Sequence, residues 1–176
     1  SYQAIGKAIQ FFGARANLAK ALLLAINGGR CENTGTLMVD GIKPLSSNEL
    51  NFDEVMTNYK KVLHSIARVY NDTMNIIHYM HDKYDYEKSQ MALIDTNPSI
   101  NLAYGVAGLS IVADSLSAIK HAKVTARRNA DGLTEGFDIV GDFPKFGNDD
   151  DRVDVIARDV VGFFNTELCA LKVYKD

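Results

Sequence analysis

The sequence predicts a helix-rich α/β protein, and three observations support this prediction. Apolar residues recur every three or four positions over several long stretches, which is the periodicity of amphipathic helices. A short region instead places the turn signal Asp131-Gly132 between two groups of strand-forming residues. The chain has 176 residues, of which 47% are apolar, and this is enough for one domain with a buried core.

The first predicted helix covers about residues 12–26 and is apolar on most of its faces. Such a helix requires burial on several sides, which is typical of the interior of a large protein. Gly28-Gly29 should end it, because glycine adopts the left-handed backbone conformation without a steric penalty. Residues 30–48 follow as a long predicted loop, rich in Gly, Ser, Thr and Asn.

The longest predicted helix begins at Asn51, whose side chain can cap it, with Glu54 as the acid of a capping-box variant. Its apolar residues form one continuous stripe, made up of Val55, Tyr59, Val62, Ile66, Val69, Thr73, Ile76 and Met80. A stripe of this extent is roughly 40 Å long at 1.5 Å per residue. A helix of that length belongs to a larger body or packs against a partner.

Shorter elements follow this helix. A short helix is predicted near residues 86–94, stopped by Asn97-Pro98, and another over residues 105–122. Two short strands are predicted around Val124 and at residues 137–139, and a last helix from about residue 152 to residue 173.

The charge pattern argues against several classes of partner. The 19 basic and 22 acidic residues are spread along the chain, so no basic patch for nucleic acid or for a membrane surface is predicted. No apolar run is long enough to span a bilayer, and the first residues do not follow the pattern of a secretory signal. Cys31 and Cys169 belong to no C-x-x-C pair, which is typical of a reducing compartment. These features predict a cytoplasmic protein.

The most informative stretch runs from Gln10 to Asn17, where two aromatic residues, a glycine and a single arginine precede a helix. An arginine in apolar surroundings is costly unless it is paired, and its planar fork matches a carboxylate. Arg15 and Phe12 could therefore form a pocket that holds a small anionic substrate and excludes water. Alternatively, Arg15 forms a buried ion pair with one of the chain's own acids. The residue pattern alone leaves both interpretations open.

Other motifs favour structural roles. His78 and His81 share a helix face, so metal binding is conceivable, but no third ligand is indicated, and hydrogen bonds to neighbours are the simpler interpretation. The acids at 149–151 immediately precede a helix, where negative charge is favoured, and they are predicted to cap it. Neither cysteine has a neighbouring base that the sequence reveals, so each is predicted to be a loop or core thiol.

Four longer strings resemble the pyruvate formate-lyase family of glycyl radical enzymes, in the family's order and with similar spacing. They are Gln10 to Lys20 (QFFGARANLAK), Asn75 to Tyr84 (NIIHYMHDKY), Gly108 to Lys120 (GLSIVADSLSAIK) and Phe146 to Asp154 (FGNDDDRVD). The resemblance covers essentially the whole chain, and residues 30–51 depart from it most. It implies a ten-stranded α/β barrel, of which residues 1–176 form a single internal, helix-rich segment. The family's catalytic cysteine pair and its C-terminal glycyl radical domain would lie outside this segment.

The resemblance also implies a function for the parent protein. The family converts pyruvate and coenzyme A into acetyl-CoA and formate, a formate C-acetyltransferase reaction of anaerobic glucose fermentation that runs through glycyl and thiyl radicals. A radical SAM activating enzyme installs the glycyl radical, coenzyme A is the co-substrate, and the parent is a cytoplasmic homodimer. No metal is implied.

For this segment, the resemblance implies that Arg15 binds the pyruvate carboxylate and that Phe12 forms part of the apolar wall. It assigns no catalytic residue here, and the segment alone is predicted to be inactive. Two alternatives stay open. One is a 2-ketobutyrate formate-lyase of the same family, and the other is a non-catalytic, truncated fragment.

Overall fold

The computed structural model describes residues 9–11, 13–91 and 99–175, which form six strands and five helices. The strands are β1 (Ile9–Phe11), β2 (Arg15–Asn17), β3 (Ile100–Leu102), β4 (Gly105–Ala107), β5 (Lys123–Arg128) and β6 (Thr134–Val140). The helices are α1 (Leu18–Ile26), α2 (Phe52–Lys83), α3 (Tyr86–Met91), α4 (Leu109–His121) and α5 (Asp151–Cys169). Within the described ranges, no helix combines the length and the apolar character needed to cross a membrane.

Four short strands form two parallel pairs, one after the other. β1 pairs with β3, and β2 pairs with β4, so the two pairs together form a two-stranded parallel ribbon that is interrupted at its centre. A helix follows the second strand on each side of the ribbon, α1 after β2 and α4 after β4. This repeated strand–helix order with a helical crossover is the unit from which parallel α/β sheets and barrels are built.

The helices form one layer that packs on the ribbon. The main core lies where α1 contacts α2 and α4, and where α5 packs against α2 and α4. Leu18, Ala21 and Ala25 of α1 are completely buried, in agreement with the burial that its apolar faces predicted. The hydroxyl of Tyr59 in α2 donates to the backbone carbonyl of Leu18 at 3.2 Å, which ties the start of α1 to α2.

The predicted helix ends are confirmed where a cap was identified. The Asn51 side chain accepts from the backbone N–H of Glu54 at 3.0 Å. Gly28 and Gly29 have φ values of +62° and +82°, and the Gly29 N–H donates to the carbonyl of Leu24 at 2.7 Å. These bonds satisfy backbone groups that a helix terminus otherwise leaves without partners.

Other predicted boundaries were wrong, mainly because the parallel strands were not predicted. The first helix begins at Leu18 rather than near residue 12, and the fourth begins at Leu109 rather than at 105. In both cases the missing helical turn is a strand of three residues. Runs this short have no periodicity that distinguishes a strand from a helix, and pairing between distant segments decides their conformation. The last helix ends at Cys169, before residue 173, and α3 is described only to Met91.

Only the first half of the predicted apolar stripe of α2 is buried. In the second half of the helix, Val69 and Ile76 are each 64% exposed and Met80 is 40% exposed. The buried residues of this second half are Ala67, Tyr70, Asn71, Met74 and His78. This half of α2 carries apolar residues on two faces, so periodicity alone could not select the packed one. The packed face is the one that contacts the parallel ribbon through Tyr70 and Met74.

The antiparallel hairpin of β5 and β6 confirms the predicted turn at Asp131-Gly132. Arg128, at the end of β5, is half-buried and holds the hairpin to the rest of the chain. Its guanidinium donates to the Ile26 carbonyl at 3.1 Å, to the Asn27 side-chain oxygen at 3.3 Å and to the Asn48 side-chain oxygen at 3.1 Å. Arg128 therefore connects the hairpin to the end of α1 and to the long loop.

Candidate functional site

Arg15 is the first residue of β2, and α1 begins three residues later, at Leu18. Side chains alternate between the two faces of a strand. Ala16 is 7% exposed and belongs to the core beneath the helices, whereas Arg15 and Asn17 on either side of it are exposed. Arg15 and Asn17 therefore lie on the face of the strand opposite the one that places Ala16 in the core.

The neighbouring strand brings no side chain to the space beside Arg15, because its partner in the parallel register is Gly105. A groove of about 380 Å³ also borders Arg15, along the outer edge of β2. The other walls of this groove come from α1, α2 and the long loop, and they include Leu24, Met38, Ile66 and Val69. Arg15 is thus bordered by an open sheet face and by a largely apolar groove.

The end of β2 is fixed by a cap. The Asn17 side chain accepts from the backbone N–H of Lys20 at 3.0 Å, so the helix cap lies two residues after Arg15 and α1 begins at Leu18. Gly13, two residues before Arg15, lies close against α2, where a Cβ atom on it would lie 3.0 Å from the Met74 sulfur. The backbone on both sides of Arg15 is therefore held by packing or by hydrogen bonds. Phe12, the other residue predicted to line the site, lies outside the described residues.

Cys31 lies in the loop after α1, as predicted, but the sequence did not reveal its chemical environment. Hydrogen bonds from the Thr34 side chain and from the backbone at Asn33 and Thr34, together with Lys20, lower its pKa to about 7. The Lys20 ammonium lies 3.2 Å from the sulfur and also pairs with Glu32. These contacts stabilise a thiolate. Residues eleven positions apart in sequence supply the cation, so only the fold brings it to the sulfur.

The two histidines that share a helix face each lie against a tyrosine ring. His78 is buried with its ring edge-on to Tyr174 at 5.5 Å, and His81 stacks at a tilt on Tyr86 at 4.8 Å. In the part of the chain that the structure describes, no three His, Cys, Asp or Glu side chains are grouped as a metal site requires.

The acidic segment before α5 acts as the predicted cap. Asp150 accepts from the Arg152 backbone N–H at 3.0 Å. The Arg152 guanidinium bonds the same carboxylate and, with that backbone bond, lowers the pKa of Asp150 to about 2.

Comparison with known proteins gives one consistent result. A family model described as pyruvate formate lyase-like matches residues 1–176. Formate acetyltransferase 1 of Escherichia coli strain K12 is 49% identical over 172 residues, which is 98% of this chain and 23% of that protein. The crystal structure of a glycyl radical enzyme from Archaeoglobus fulgidus has a similar fold, with a TM-score of 0.66 at 18% identity, over 90% of this chain and 23% of that one. The predicted fold class, a helix-rich segment of an α/β barrel of the glycyl radical enzyme type, is confirmed.

Proposed function

Because the chain belongs to the pyruvate formate lyase-like family, we propose that it is an internal segment of a formate C-acetyltransferase and supplies Arg15 to the pyruvate site. The chain spans only 23% of the relative it matches, so the reaction belongs to a longer parent protein. In that parent, pyruvate and coenzyme A are converted to acetyl-CoA and formate. The thiyl radicals and the glycyl radical would come from parts of the parent outside these residues, since Cys31 and Cys169 are not adjacent.

The observation that supports this role is the position of Arg15 on the ribbon. In barrels built from strand–helix units, the helices form the outer layer, and reactive residues gather at the carboxyl ends of the strands. Arg15 lies near the carboxyl end of the interrupted strand that β1 and β2 form together, and its exposed side chain is on the face opposite that of the buried Ala16. In a closed barrel this face is the interior.

The guanidinium suits the substrate in charge and in shape. Its planar fork can donate two parallel hydrogen bonds to a carboxylate, which fixes both the position and the orientation of a three-carbon keto acid. A carboxylate held in this way keeps the adjacent ketone carbon at a constant place for attack by sulfur. Gly105 on the neighbouring strand leaves room for the substrate next to the guanidinium, and Phe12 would form the apolar wall.

Replacement of Arg15 in the intact parent enzyme tests the proposal. Arg15→Ala should raise the KM for pyruvate about 100-fold, because two charge-assisted hydrogen bonds to the carboxylate are lost. The KM for coenzyme A should stay unchanged. Arg127→Ala is the matched control, since Arg127 is an exposed arginine that pairs with Asp138 at 3.3 Å on the hairpin. An unchanged pyruvate KM in Arg15→Ala, in an enzyme that still turns over, would remove Arg15 from the site.

The remaining roles in this proposal follow from family membership. An activating enzyme would install the parent's radical, and the parent would act as a cytoplasmic homodimer in anaerobic glucose fermentation. The chain on its own should be inactive, because it contains neither a cysteine pair nor the radical glycine segment.

A further inference from the structure

The parallel ribbon is interrupted directly beside Arg15. Phe11 is the last residue of the first pair, opposite Leu102, and Arg15 is the first residue of the second pair, opposite Gly105. Three residues lie between the pairs on one strand and two on the other, so the first strand carries one extra residue. Such a bulge breaks the ladder and leaves backbone groups that need other partners.

The hydroxyl of Tyr70 in α2 fills this break. It donates to the backbone carbonyl of Ala14 and accepts from the backbone N–H of Gly105 at 3.0 Å. A tyrosine hydroxyl can do both at once, because it is a donor and an acceptor. Ala14 immediately precedes Arg15, and Gly105 is the residue paired with Arg15. A single side-chain atom therefore replaces the missing link between the two strands at the position of the arginine.

Tyr70 is itself held firmly. Its side chain is 6% exposed, and its ring meets that of Tyr104 edge-on at 5.1 Å. The Tyr104 hydroxyl donates to the Asn71 side-chain oxygen at 2.7 Å, and the Asn71 amide donates to the Lys172 carbonyl at 2.8 Å. A chain of hydrogen bonds and ring contacts thus links Tyr70 to the segment after α5, and members of such a chain rigidify one another.

We propose that Tyr70 is a positioning residue for substrate binding, which holds the Arg15 backbone at the bulge so that the guanidinium meets the substrate carboxylate. This inference rests on the proposed role of Arg15. Without the hydroxyl, the Ala14 carbonyl and the Gly105 N–H lose their shared partner, and the strands can shift relative to each other. A shift of about 1 Å in a substrate-binding group can reduce the rate with substrate by a large factor.

The test is Tyr70→Phe in the intact parent enzyme. This change keeps the ring and its packing and removes only the hydroxyl. The KM for pyruvate should rise about tenfold, with a much smaller change in kcat and none in the KM for coenzyme A. Tyr59→Phe is the matched control, because Tyr59 lies on the same helix and its buried hydroxyl bonds the Leu18 carbonyl, away from the bulge. It should leave all three constants unchanged.

A double-mutant cycle with Arg15→Ala separates positioning from a general structural effect. If Tyr70 acts through Arg15, Tyr70→Phe should raise the pyruvate KM in the wild-type background and leave it unchanged in the Arg15→Ala background. An equal rise in both backgrounds, or no rise in the wild type, overturns the inference. If Arg15→Ala itself does not raise the KM, the proposed function fails first, whatever Tyr70→Phe does.

A second variant keeps the test decisive if Tyr70→Phe does not accumulate as folded enzyme. Tyr104→Phe leaves the hydroxyl of Tyr70 in place and removes only the bond from Tyr104 to Asn71. The pyruvate KM should rise about threefold in this variant, because the ring that packs against Tyr70 is less restrained. A KM equal to that of the wild type would count against the positioning role.

Discussion

An arginine lies near each end of α1, and the two arginines have different surroundings. Before the start of the helix, Arg15 is exposed on β2, on the strand face opposite that of the buried Ala16. At the end of the helix, Arg128 reaches across from the hairpin and donates to oxygens of Ile26, Asn27 and Asn48. The first arginine is presented by its strand, and the second joins three segments of the chain.

The surroundings of the two residues explain this difference. Arg128 is half-buried, and its burial lowers the pKa of the guanidinium from its ordinary value. Four hydrogen bonds to carbonyl and amide oxygens, including one to Gly132 at 2.9 Å, compensate for that burial. Arg15 instead stands on an exposed face beside a glycine. The two arginines therefore differ in burial and in contacts, which their residue type cannot reveal.

The comparison predicts that loss of Arg128 acts on stability and not on substrate binding. Arg128→Met removes four hydrogen bonds from a charged donor, so the free energy of local opening should fall by about 2–4 kcal/mol. Amide hydrogen exchange of residues 26–31 and 129–134 should accelerate accordingly, by about 30- to 1,000-fold.

Arg127→Met is the control for this prediction. Arg127 precedes Arg128 on the same strand and forms only an exposed pair with Asp138, so exchange in both segments should hardly change. Equal acceleration in the two variants would show that Arg128 has no special role in joining the segments. A large rise in the pyruvate KM of Arg128→Met alone would contradict the expectation that Arg128 acts on stability and not on substrate binding.

Arg15→Lys tests whether the planar fork of Arg15 is needed for binding of the carboxylate. Lysine keeps the positive charge but loses the planar fork, so one of the two parallel hydrogen bonds to the carboxylate should be lost. The KM for pyruvate in the intact enzyme should rise about tenfold, less than in Arg15→Ala. If lysine restored wild-type binding, Arg15 would be acting as a simple point charge. The exchange rates of the hairpin should stay at their wild-type values.

The sequence predicted the elements with strong local signals and missed those made by distant pairing. The Asn51 cap, the end of α1 at Gly28-Gly29, the cap at Asp150 and the Asp131-Gly132 turn are each determined by a few adjacent residues. The strands beside Arg15 have three residues each, and they exist because segments about 90 residues apart pair in parallel. No local pattern encodes such a pairing.

The same limit applies to the site. Arg15 stands out in the sequence as a lone arginine among apolar residues, and the family resemblance assigned it a role. Tyr70 did not stand out, because a tyrosine within a long helix fits an ordinary core position. What distinguishes it is that its hydroxyl bonds the Ala14 carbonyl at the bulge on one strand and the Gly105 N–H on the other. The sequence could not predict these two hydrogen bonds, since they depend on the register of the ribbon.

Cys31, in the loop after α1, should be more reactive than the other cysteine of the chain. Its pKa is lowered to about 7 by Thr34 and the neighbouring backbone, with Lys20 alongside, so the thiolate should form as the pH rises through about 7. Alkylation by iodoacetamide should follow the same midpoint. At neutral pH, Cys31 should react about tenfold faster than Cys169, which is exposed at the end of α5.

Variants near Cys31 separate the contributions to this reactivity. Thr34→Val and Lys20→Gln should each move the midpoint of Cys31 alkylation to higher pH and leave the rate at Cys169 unchanged. The first removes a hydroxyl donor to the sulfur, and the second removes the charged ammonium donor. Peptide mapping by mass spectrometry assigns the label to each cysteine. Identical pH profiles for the two cysteines would mean that the contacts around the Cys31 sulfur do not stabilise its charge.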